Sequence, residues 1–508
     1  MENKRGSWAS NIGFLLAAVG SAVGLGNIWG FPFKMGRSGG FTFLLVYLLL
    51  AVFVGLIIMC AELALGRKTR KSPIAAYKEV SKKFAWIGWL AVLAPFLIMT
   101  FYSVLGGYCI YYIIINLIGI FGGMPEGTAS LVNMISSIPV SIGILLAFMV
   151  ICYFIVAGGV DSGIEKFNKV GMPALAIMLV IIIIRALTLP NAVEGLKFMF
   201  VPGYAVKGGF IDSAPGLVSV LATAGGQMFF SLSLAMGAMI TYGSYLGKEE
   251  NLVKNSGIIV AADTIVALMA GLAVIPAAVA NGINNGVPVN QIKLGGPKLL
   301  FITLQDVFHD MGAIGGVFGV IFYTLVLIAA ISSAISLMEV LSAHFIDKAA
   351  AQGKTLERKK VVLWVSIAIM IPAILVAADG LDSHGIAPYS LLGIEAIGDS
   401  WNDCWLDFFD NIAEGVMMPL GAMLMAIMIG WEVGPNLTLD EIAHGDPSEG
   451  FKKFFTFCVK FVVPVVMAFI LAGMLATFVG GYLNVMYVVS AVLLVGFWAF
   501  AALGKKKA

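Results

Sequence analysis

A few oxygen-bearing side chains stand inside long apolar runs of this sequence. Asp263 lies deep in an otherwise apolar segment, and a carboxylate in such a place is a functional candidate by default because its burial is costly. Hydroxyl, amide and carboxylate oxygens are the ligands that hard cations prefer. The sequence therefore predicts a site for an ion such as sodium. The other candidate ligands of this kind are Asn27, Ser231, Ser233, Ser332 and Ser333.

These residues also have purely structural interpretations. Asp263 could be a buried acid paired with a neighbouring helix, and serines in membrane helices commonly bond their own backbone carbonyls. Glu62, in another apolar run, is interpreted as an acid that accepts hydrogen bonds from free amides of a broken first span, or as a cap on an inner cavity. Tyr102 supplies a phenol that could meet a substrate carboxylate, although membrane tyrosines more often serve packing or the interfacial belt.

The composition predicts that a bilayer surrounds these residues. Of 508 residues, 60% are hydrophobic and 12% are charged, and the mean hydropathy is +0.97, as is typical of a multi-spanning membrane protein. A net charge of +2 with scattered cations does not suggest a nucleic-acid partner. The five cysteines have no metal-ligand spacing. No nucleophile, base and orienting group stand at an interpretable spacing, so an intramembrane enzyme is not expected.

Twelve segments are long and apolar enough to cross a bilayer as helices. The predicted fold is therefore all-α, and the even number of spans puts both termini on one side. Cationic loop residues cluster on that side, so the positive-inside rule predicts cytoplasmic termini in a bacterial inner membrane. The spans lie near 12–33, 41–66, 86–118, 137–157, 170–190, 216–246, 254–281, 312–347, 361–378, 405–431, 454–475 and 481–503. The cations are Arg5, Arg67, Lys68, Arg70, Lys71, Lys78, Lys82, Lys83, Lys166, Lys169, Lys354, Arg358, Lys359, Lys360 and Lys505 to Lys507.

Spans one and six differ from ordinary lipid-facing helices. Span one contains GSAVGLGN at 20–27, and span six contains GGQMFFSLSLAMG at 225–237. Backbone left unpaired in hydrocarbon is costly, so breaks of this kind survive only where they line a protein cavity. The same glycines could instead serve helix packing. Interrupted segments at matching positions of two halves nevertheless indicate a transporter site at the bilayer midplane.

The sequence resembles the neurotransmitter:sodium symporter family, in its prokaryotic amino-acid-transporting branch. The resemblance runs from Trp8 to about span eleven. It rests on GSAVGLGN at 20–27, Phe31-Pro32, Glu62 with Gly66-Arg67, Gly163 to Lys166, QMFFSLS at 227–233, TYGSY at 241–245, and AAISS at 329–333. It implies two inverted five-helix repeats, spans 1–5 and 6–10, as a transport core over 1–431. Two peripheral helices and a basic C-terminus would occupy 432–508.

The resemblance also implies two sodium sites and a substrate site between the breaks. The first ion would take the Ala22 carbonyl, Asn27, Ser231 and Asp263. The second would take carbonyls of Gly20, Val23 and Ala329 with the hydroxyls of Ser332 and Ser333. The expected substrate-binding residues are Ser21, Ala22, Gly24, Leu25, Gly26, Ile98, Tyr102, Phe229, Phe230, Ser231, Ser233, Met236, Ser333 and Leu337.

Two positions bear on the substrate. Amine carriers of the family place an aspartate at position 24, whereas Gly24 leaves room for a substrate with its own carboxylate. Met236 stands where many relatives have an aromatic residue, and a flexible thioether accommodates larger side chains. A hydrophobic or aromatic L-amino acid is therefore expected. A carrier of an amine, and a ligand-gated channel or amino-acid sensor on the same scaffold, remain alternatives.

The resemblance further implies a chloride-independent carrier with gates on both faces. Asp263 falls on a sodium-ligand asparagine position of the family, and an acid there can replace the charge of chloride. The cytoplasmic gate would pair Arg5 with Asp347, supported by Trp8, Ser244 and Tyr245. The outer gate keeps Asp410 and Gln227, but Gly30 replaces the usual basic residue, for which Lys34 or Arg37 could substitute. The segment 379–404 receives no role.

Overall fold

The computed structural model describes residues 7–292, 294, 299–393, 403–478 and 482–503. These residues form helices and connecting loops, with no strand among them. Ten of the helices are long and apolar enough to cross a bilayer alone. They are Phe41–Thr69, Ile87–Gly122, Ile138–Ala157, Val160–Leu187, Leu252–Asn284, Ala313–Ala351, Arg358–Asp379, Trp405–Val433, Glu449–Ala476 and Leu483–Ala502, which are spans 2, 3, 4, 5, 7, 8, 9, 10, 11 and 12.

The remaining two spans are the broken ones. Span 1 consists of Asn11–Ala22 and Gly26–Arg37, which meet at an angle of 45°. Span 6 consists of the apolar helix Leu217–Ser231 and, after a non-helical stretch, the short helix Ala238–Gly243. The prediction that spans one and six are interrupted is thereby confirmed, and the total of twelve spans agrees with the sequence.

The helices of the two halves pack in corresponding pairs. Spans 3 and 8 form the most extensive contact between any two described helices, spans 2 and 7 also touch, and the two broken spans meet at their breaks. A Cβ placed on Gly26 would lie 2.8 Å from the Phe230 ring. Glycine at position 26 is therefore what allows this close approach.

Span 11 packs on spans 6 and 10, and span 12 packs on span 11. This position at the edge of the bundle is compatible with a core over 1–431 and two peripheral helices, a division that stays a prediction. The basic residues Lys505 to Lys507 lie outside the described residues. The helix Asn436–Ile442, between spans 10 and 11, is held by the buried Arg67, whose Nε donates to Glu441 Oε2 at 2.9 Å.

One boundary was predicted poorly. Span 5 begins at Val160 rather than near 170, so Lys166 and Lys169 lie in its first turns and not in a loop. A polar amphipathic helix end does not raise local hydropathy, which explains why the apolar window missed it. The Gly- and Pro-rich loops 191–215 and 282–311 also contain helices of their own: Ala192–Phe200, Tyr204–Lys207 and Leu304–Asp310.

Candidate functional site

The break in span 6 has an unusual backbone. Ser233 and Ala235 have φ of 53° and 59°, in the left-handed region that costs a non-glycine residue roughly 1–3 kcal/mol when the surroundings must hold it there. Two hydrogen bonds provide that support. The Ala235 amide donates to Glu62 Oε1 at 2.6 Å, and the Ser233 hydroxyl donates to the Ser21 carbonyl at 2.7 Å.

Glu62 therefore has a different partner from the one expected. The sequence interpretation paired it with amides of the broken first span, whereas its recorded hydrogen bond comes from the broken sixth span. The residue types identified a buried acceptor near broken backbone correctly. They could not show which of two equivalent breaks faces span 2.

Asp263 lies at the centre of a fully buried polar cluster. Asn27 Nδ2 donates to its Oδ1 at 2.7 Å and to its backbone carbonyl at 3.1 Å. The Ser231 hydroxyl lies 2.8 and 3.0 Å from the two carboxylate oxygens. Tyr47 donates to Oδ2 at 3.0 Å. Tyr47 was not among the residues predicted from the sequence, although a tyrosine in the middle of an otherwise apolar span 2 was an available signal.

The orientation of Asn27 matters for its predicted role as an ion ligand. Its amide nitrogen faces Asp263, and its Oδ1 accepts a hydrogen bond from the Gly24 amide at 3.0 Å. The cluster joins Asn27, Ser231 and Asp263, three of the residues predicted for the first ion site. The fourth predicted ligand, the carbonyl of Ala22, belongs to the last residue of the first half of span 1. Such a set of carboxylate, amide and hydroxyl oxygens suits a hard cation.

A second cluster joins the two serines of span 8 to the break in span 1. The Ser332 hydroxyl lies 2.8 Å from the Ala329 carbonyl and 3.4 Å from that of Val23. The Ser333 hydroxyl lies 3.0 Å from the Ser21 carbonyl and 3.5 Å from that of Gly20. The fold thus brings together all five residues predicted for the second ion. Unlike the cluster around Asp263, these oxygens carry no formal charge.

A small cavity lies between the two breaks. Its polar end is formed by the span 1 break, with Tyr102 accepting a hydrogen bond from the Leu25 amide at 3.0 Å. Its other end is apolar. The lining residues are Ser21, Ala22, Gly24, Gly26, Ile98, Tyr102, Phe230, Ser233, Met236, Ser333 and Leu337. Three further residues from the predicted substrate set, Leu25, Phe229 and Ser231, are buried but do not line this cavity.

Gly24 is enclosed on the cavity side. A Cβ placed there would lie 2.2 Å from Ser333 Oγ and 2.7 Å from the Tyr102 hydroxyl oxygen. A larger residue at position 24 would therefore displace both polar groups from the cavity. The amide of Gly24 already donates to Asn27, so this amide is not free to meet a substrate carboxylate in this conformation.

On the face that carries the N-terminus, aromatic and charged side chains close the bundle. Trp8 donates its indole N–H to the Tyr242 carbonyl at 3.1 Å and packs edge-on against the Tyr245 ring. Tyr245 donates to Glu339 at 2.7 Å, and Glu339 forms an ion pair with Arg358. The Glu339–Arg358 pair was not predicted from the sequence.

Three other gating residues were predicted for this face, namely Arg5, Asp347 and Ser244. Arg5 lies outside the described residues, so its pairing with Asp347 stays a prediction. Asp347 accepts a hydrogen bond from the Ser72 amide at 2.7 Å. The Ser244 hydroxyl donates to the Thr241 carbonyl at 2.5 Å, within its own turn of helix.

On the opposite face, Gln227 occupies the space next to Gly30. Its Nε2 donates to the Gly26 carbonyl at 2.7 Å, and a Cβ at position 30 would lie 2.7 Å from its Oε1. Lys34 forms an ion pair with Glu414, one turn of helix beyond Asp410. Arg37 instead lies over the Phe33 ring, 5.6 Å from its centre. Lys34 therefore reaches span 10, and its partner Glu414 was not among the residues predicted from the sequence.

Known proteins share this sequence and this fold. The profile of the Sodium:neurotransmitter symporter family matches residues 5–120 and 131–503. An uncharacterized sodium-dependent transporter of Bacillus subtilis, YhdH, is 33% identical over 93% of this chain and 98% of its own length. An uncharacterized sodium-dependent transporter of Methanocaldococcus jannaschii, MJ1319, is 32% identical over 85% of this chain and 82% of its own.

A solved structure extends the comparison to three dimensions. The crystal structure of MhsT in complex with L-phenylalanine matches with a TM-score of 0.79 and 32% sequence identity, covering 92% of this chain and all of MhsT. The broken spans, the paired halves and the prokaryotic relatives agree with the resemblance found in the sequence. The chain belongs to the sodium:neurotransmitter symporter family, in its prokaryotic branch, and is a sodium-dependent membrane transporter.

Proposed function

We propose that this protein imports a hydrophobic or aromatic L-amino acid together with sodium, by alternating access and without a requirement for chloride. The observation that carries the proposal is the position of the cavity, which lies between the two breaks and is lined by Ser333 of the second oxygen cluster. The cluster around Asp263 does not line the cavity, but it includes Asn27 and Ser231, which belong to the same two broken spans. An ion in either cluster would therefore act on the backbone that holds the substrate.

The two ends of the cavity suit the two ends of an amino acid. The second half of span 1 begins at Gly26, and helix N-termini favour anions such as a carboxylate. The first half of span 6 ends at Ser231, and helix C-termini favour cations such as an ammonium group. The apolar residues Ile98, Met236 and Leu337 would take the side chain. MhsT binds L-phenylalanine on the same fold, which supports a substrate of this class.

Gly24 favours an amino acid over an amine. An amine carrier needs an acid beside the cavity, and an aspartate at this position would collide with Ser333 and Tyr102 in the present conformation. A substrate that brings its own carboxylate needs no such acid.

Asp263 is proposed to replace chloride. Its buried carboxylate supplies a fixed negative charge beside the first sodium position, held by Asn27, Ser231 and Tyr47. A nearby negative charge offsets part of the cost of burying a cation. The second cluster would hold another sodium through neutral oxygens alone.

The cationic loops favour a bacterial cytoplasmic membrane as the location, with both termini in the cytoplasm. The Trp8 and Glu339–Arg358 contacts would then close the cytoplasmic side. The Lys34–Glu414 pair, with Gln227 and Asp410 nearby, would close the outer side.

Binding of a panel of the L-amino acids to the purified protein tests this function. Each is measured in sodium gluconate, in sodium chloride and in potassium gluconate, with tryptamine and phenylethylamine as amine controls. Sodium-dependent binding of apolar or aromatic amino acids is expected. Equal binding in potassium, binding only in the presence of chloride, or binding of the amines alone would contradict the proposal.

A further inference from the structure

A buried acid of span 5 contacts the start of span 1, and the proposed function does not use it. Glu165 belongs to the stretch Gly163 to Lys166, which carries part of the family resemblance. Its carboxylate accepts hydrogen bonds from the Ala9 amide at 2.9 Å and from the Ser10 hydroxyl at 3.1 Å. Because Glu165 is only 1% exposed, these donors face little competition from solvent.

The contact completes the N-terminal end of the first half of span 1. Amides in the first turn of a helix have no partner within the helix. Here the Ser10 hydroxyl accepts from the Gly13 amide at 3.0 Å and donates onward to Glu165. A carboxylate at this end of a helix also interacts favourably with the helix dipole. The first turn of span 1 contains no acid of its own, so span 5 supplies that charge.

The close approach of the two helices depends on Gly13. A Cβ placed on Gly13 would lie 1.9 Å from Glu165 Oε1. Alanine is a better helix former than glycine. Glycine at this position therefore favours the contact with Glu165 at the expense of the helix.

Further along, span 1 and span 5 meet in a seam that has no hydrogen bond across it. Asn168, one turn beyond Glu165, donates its Nδ2 to the Ile164 carbonyl of its own helix at 2.9 Å. Its Oδ1 faces Gly20, where a Cβ would lie 2.0 Å away, and has no hydrogen-bond partner within the described ranges. In the described part of the chain, the recorded hydrogen bonds between the first half of span 1 and span 5 all end on Glu165.

We propose that Glu165 is a positioning residue that holds span 1 against span 5 while the face carrying the N-terminus is closed. Its release would let the first half of span 1 move away and would open the seam beside Gly20, whose carbonyl is a predicted ligand of the second sodium. This role rests on the proposed alternating access. The ion pair of Glu165 with Lys169, at 2.7 Å, lies within span 5 and does not connect the two helices.

A cysteine placed in the seam tests this role. Met172 lies beside Gly20, with its Sδ 3.1 Å from a Cβ placed there, and the five native cysteines are all buried. The full chain with Met172→Cys is treated in detergent with a charged thiol reagent, and the chain without this change gives the background rate. Adding Glu165→Gln should raise the modification rate about 10-fold, because hydrogen bonds to a charged group are weakened.

Two further variants separate the contact from its surroundings. Lys169→Gln is the matched control, because it removes the ion pair within span 5 but leaves both donors of span 1 in place. It should leave the rate unchanged. Gly13→Ala puts a Cβ into the space of the carboxylate and should raise the rate, although it improves the helix. If Glu165→Gln does not give monodisperse protein, the contrast between Gly13→Ala and Lys169→Gln still decides.

The comparison is made in sodium gluconate without an amino acid, so it depends neither on the substrate nor on chloride. Identical rates in potassium gluconate would count against the second sodium site and would leave the comparison of the variants intact. An unchanged rate in Glu165→Gln, an equal rise in Lys169→Gln, or a slower rate in Gly13→Ala would overturn the inference. So would a similar rise in modification of the native cysteines, since the whole fold would then have loosened.

Discussion

The two oxygen clusters differ in charge, although both connect a broken span to an unbroken one. The first has a carboxylate at its centre, which Asn27, Ser231 and Tyr47 hold with hydrogen bonds of 2.7 to 3.0 Å. The second consists of the hydroxyls of Ser332 and Ser333 and backbone carbonyls at 2.8 to 3.5 Å. The difference indicates that the first cluster can compensate the charge of a cation by itself, whereas the second can only solvate one.

Removing the charge of the first cluster should have the largest effect. Asp263→Asn is expected to weaken sodium-dependent substrate binding on the order of 100-fold, because bonds to a charged group contribute roughly 1.5–3 kcal/mol and more than one is affected. Chloride should restore part of the binding. Sodium titrations in gluconate and in chloride measure both effects, with Asp306→Asn as a control acid outside the cluster. An unchanged sodium curve would remove Asp263 from the site.

Tyr47→Phe tests the hydrogen bonds that hold the Asp263 carboxylate separately from its negative charge. The variant keeps the ring but removes the donor to Asp263 Oδ2, and sodium affinity should fall about 10-fold because one bond to a charged group is lost. No chloride requirement should appear, since the carboxylate remains. A sodium curve like that of the native protein, or a new response to chloride in this variant, would show that the phenol has another role.

Ser333→Ala probes the uncharged cluster. Loss of a neutral hydroxyl is expected to raise the sodium concentration for half-maximal binding about 5-fold, in line with a typical hydrogen bond of 0.5–1.5 kcal/mol. Ser342→Ala is the matched control, because its hydroxyl is buried on the same helix and has no hydrogen-bond partner within the described part of the chain. Equal sodium curves for the two variants would argue against an ion at Ser333.

Met236→Phe touches neither cluster and should leave the sodium curve unchanged. A larger ring at the apolar end of the cavity should shift the substrate preference towards smaller side chains. The ratio of affinities for valine and phenylalanine should rise about 10-fold, a steric penalty within the range for one or two methylenes in a pocket. Competition binding with the two amino acids measures the shift. An identical substrate profile would place Met236 outside the pocket in the bound state.

Much of the fold could be predicted from the sequence because the signals were local. Length and hydropathy located the spans, and the glycine-rich stretches at 20–27 and 225–237 located both breaks. The start of span 5 was missed because polar residues at a helix end carry no apolar signal. The sequence could not predict which broken span donates a hydrogen bond to Glu62, because only tertiary packing decides which break faces span 2.

Site prediction singled out unusual residue types in apolar runs, such as Asp263 and Ser332-Ser333, which the fold places in polar clusters; their binding of ions stays a prediction. Site prediction failed for partners that look ordinary in sequence. Tyr47 resembles a packing residue until its hydroxyl is seen beside a buried carboxylate. Glu414 pairs with Lys34, 380 residues away in sequence, and Glu339 pairs with Arg358 on the next span. Pairs of this kind are not visible in periodicity.

Uptake into proteoliposomes tests the central claim most directly. Vesicles loaded with potassium gluconate are diluted into sodium gluconate, and accumulation of labelled L-phenylalanine or L-leucine is followed with native protein and with Asp263→Asn. Accumulation above the external concentration without chloride, lost in the variant and partly recovered in sodium chloride, is the predicted result. Equilibration without accumulation, or accumulation by the native protein only when chloride is present, would contradict a sodium-coupled carrier in which Asp263 replaces the anion.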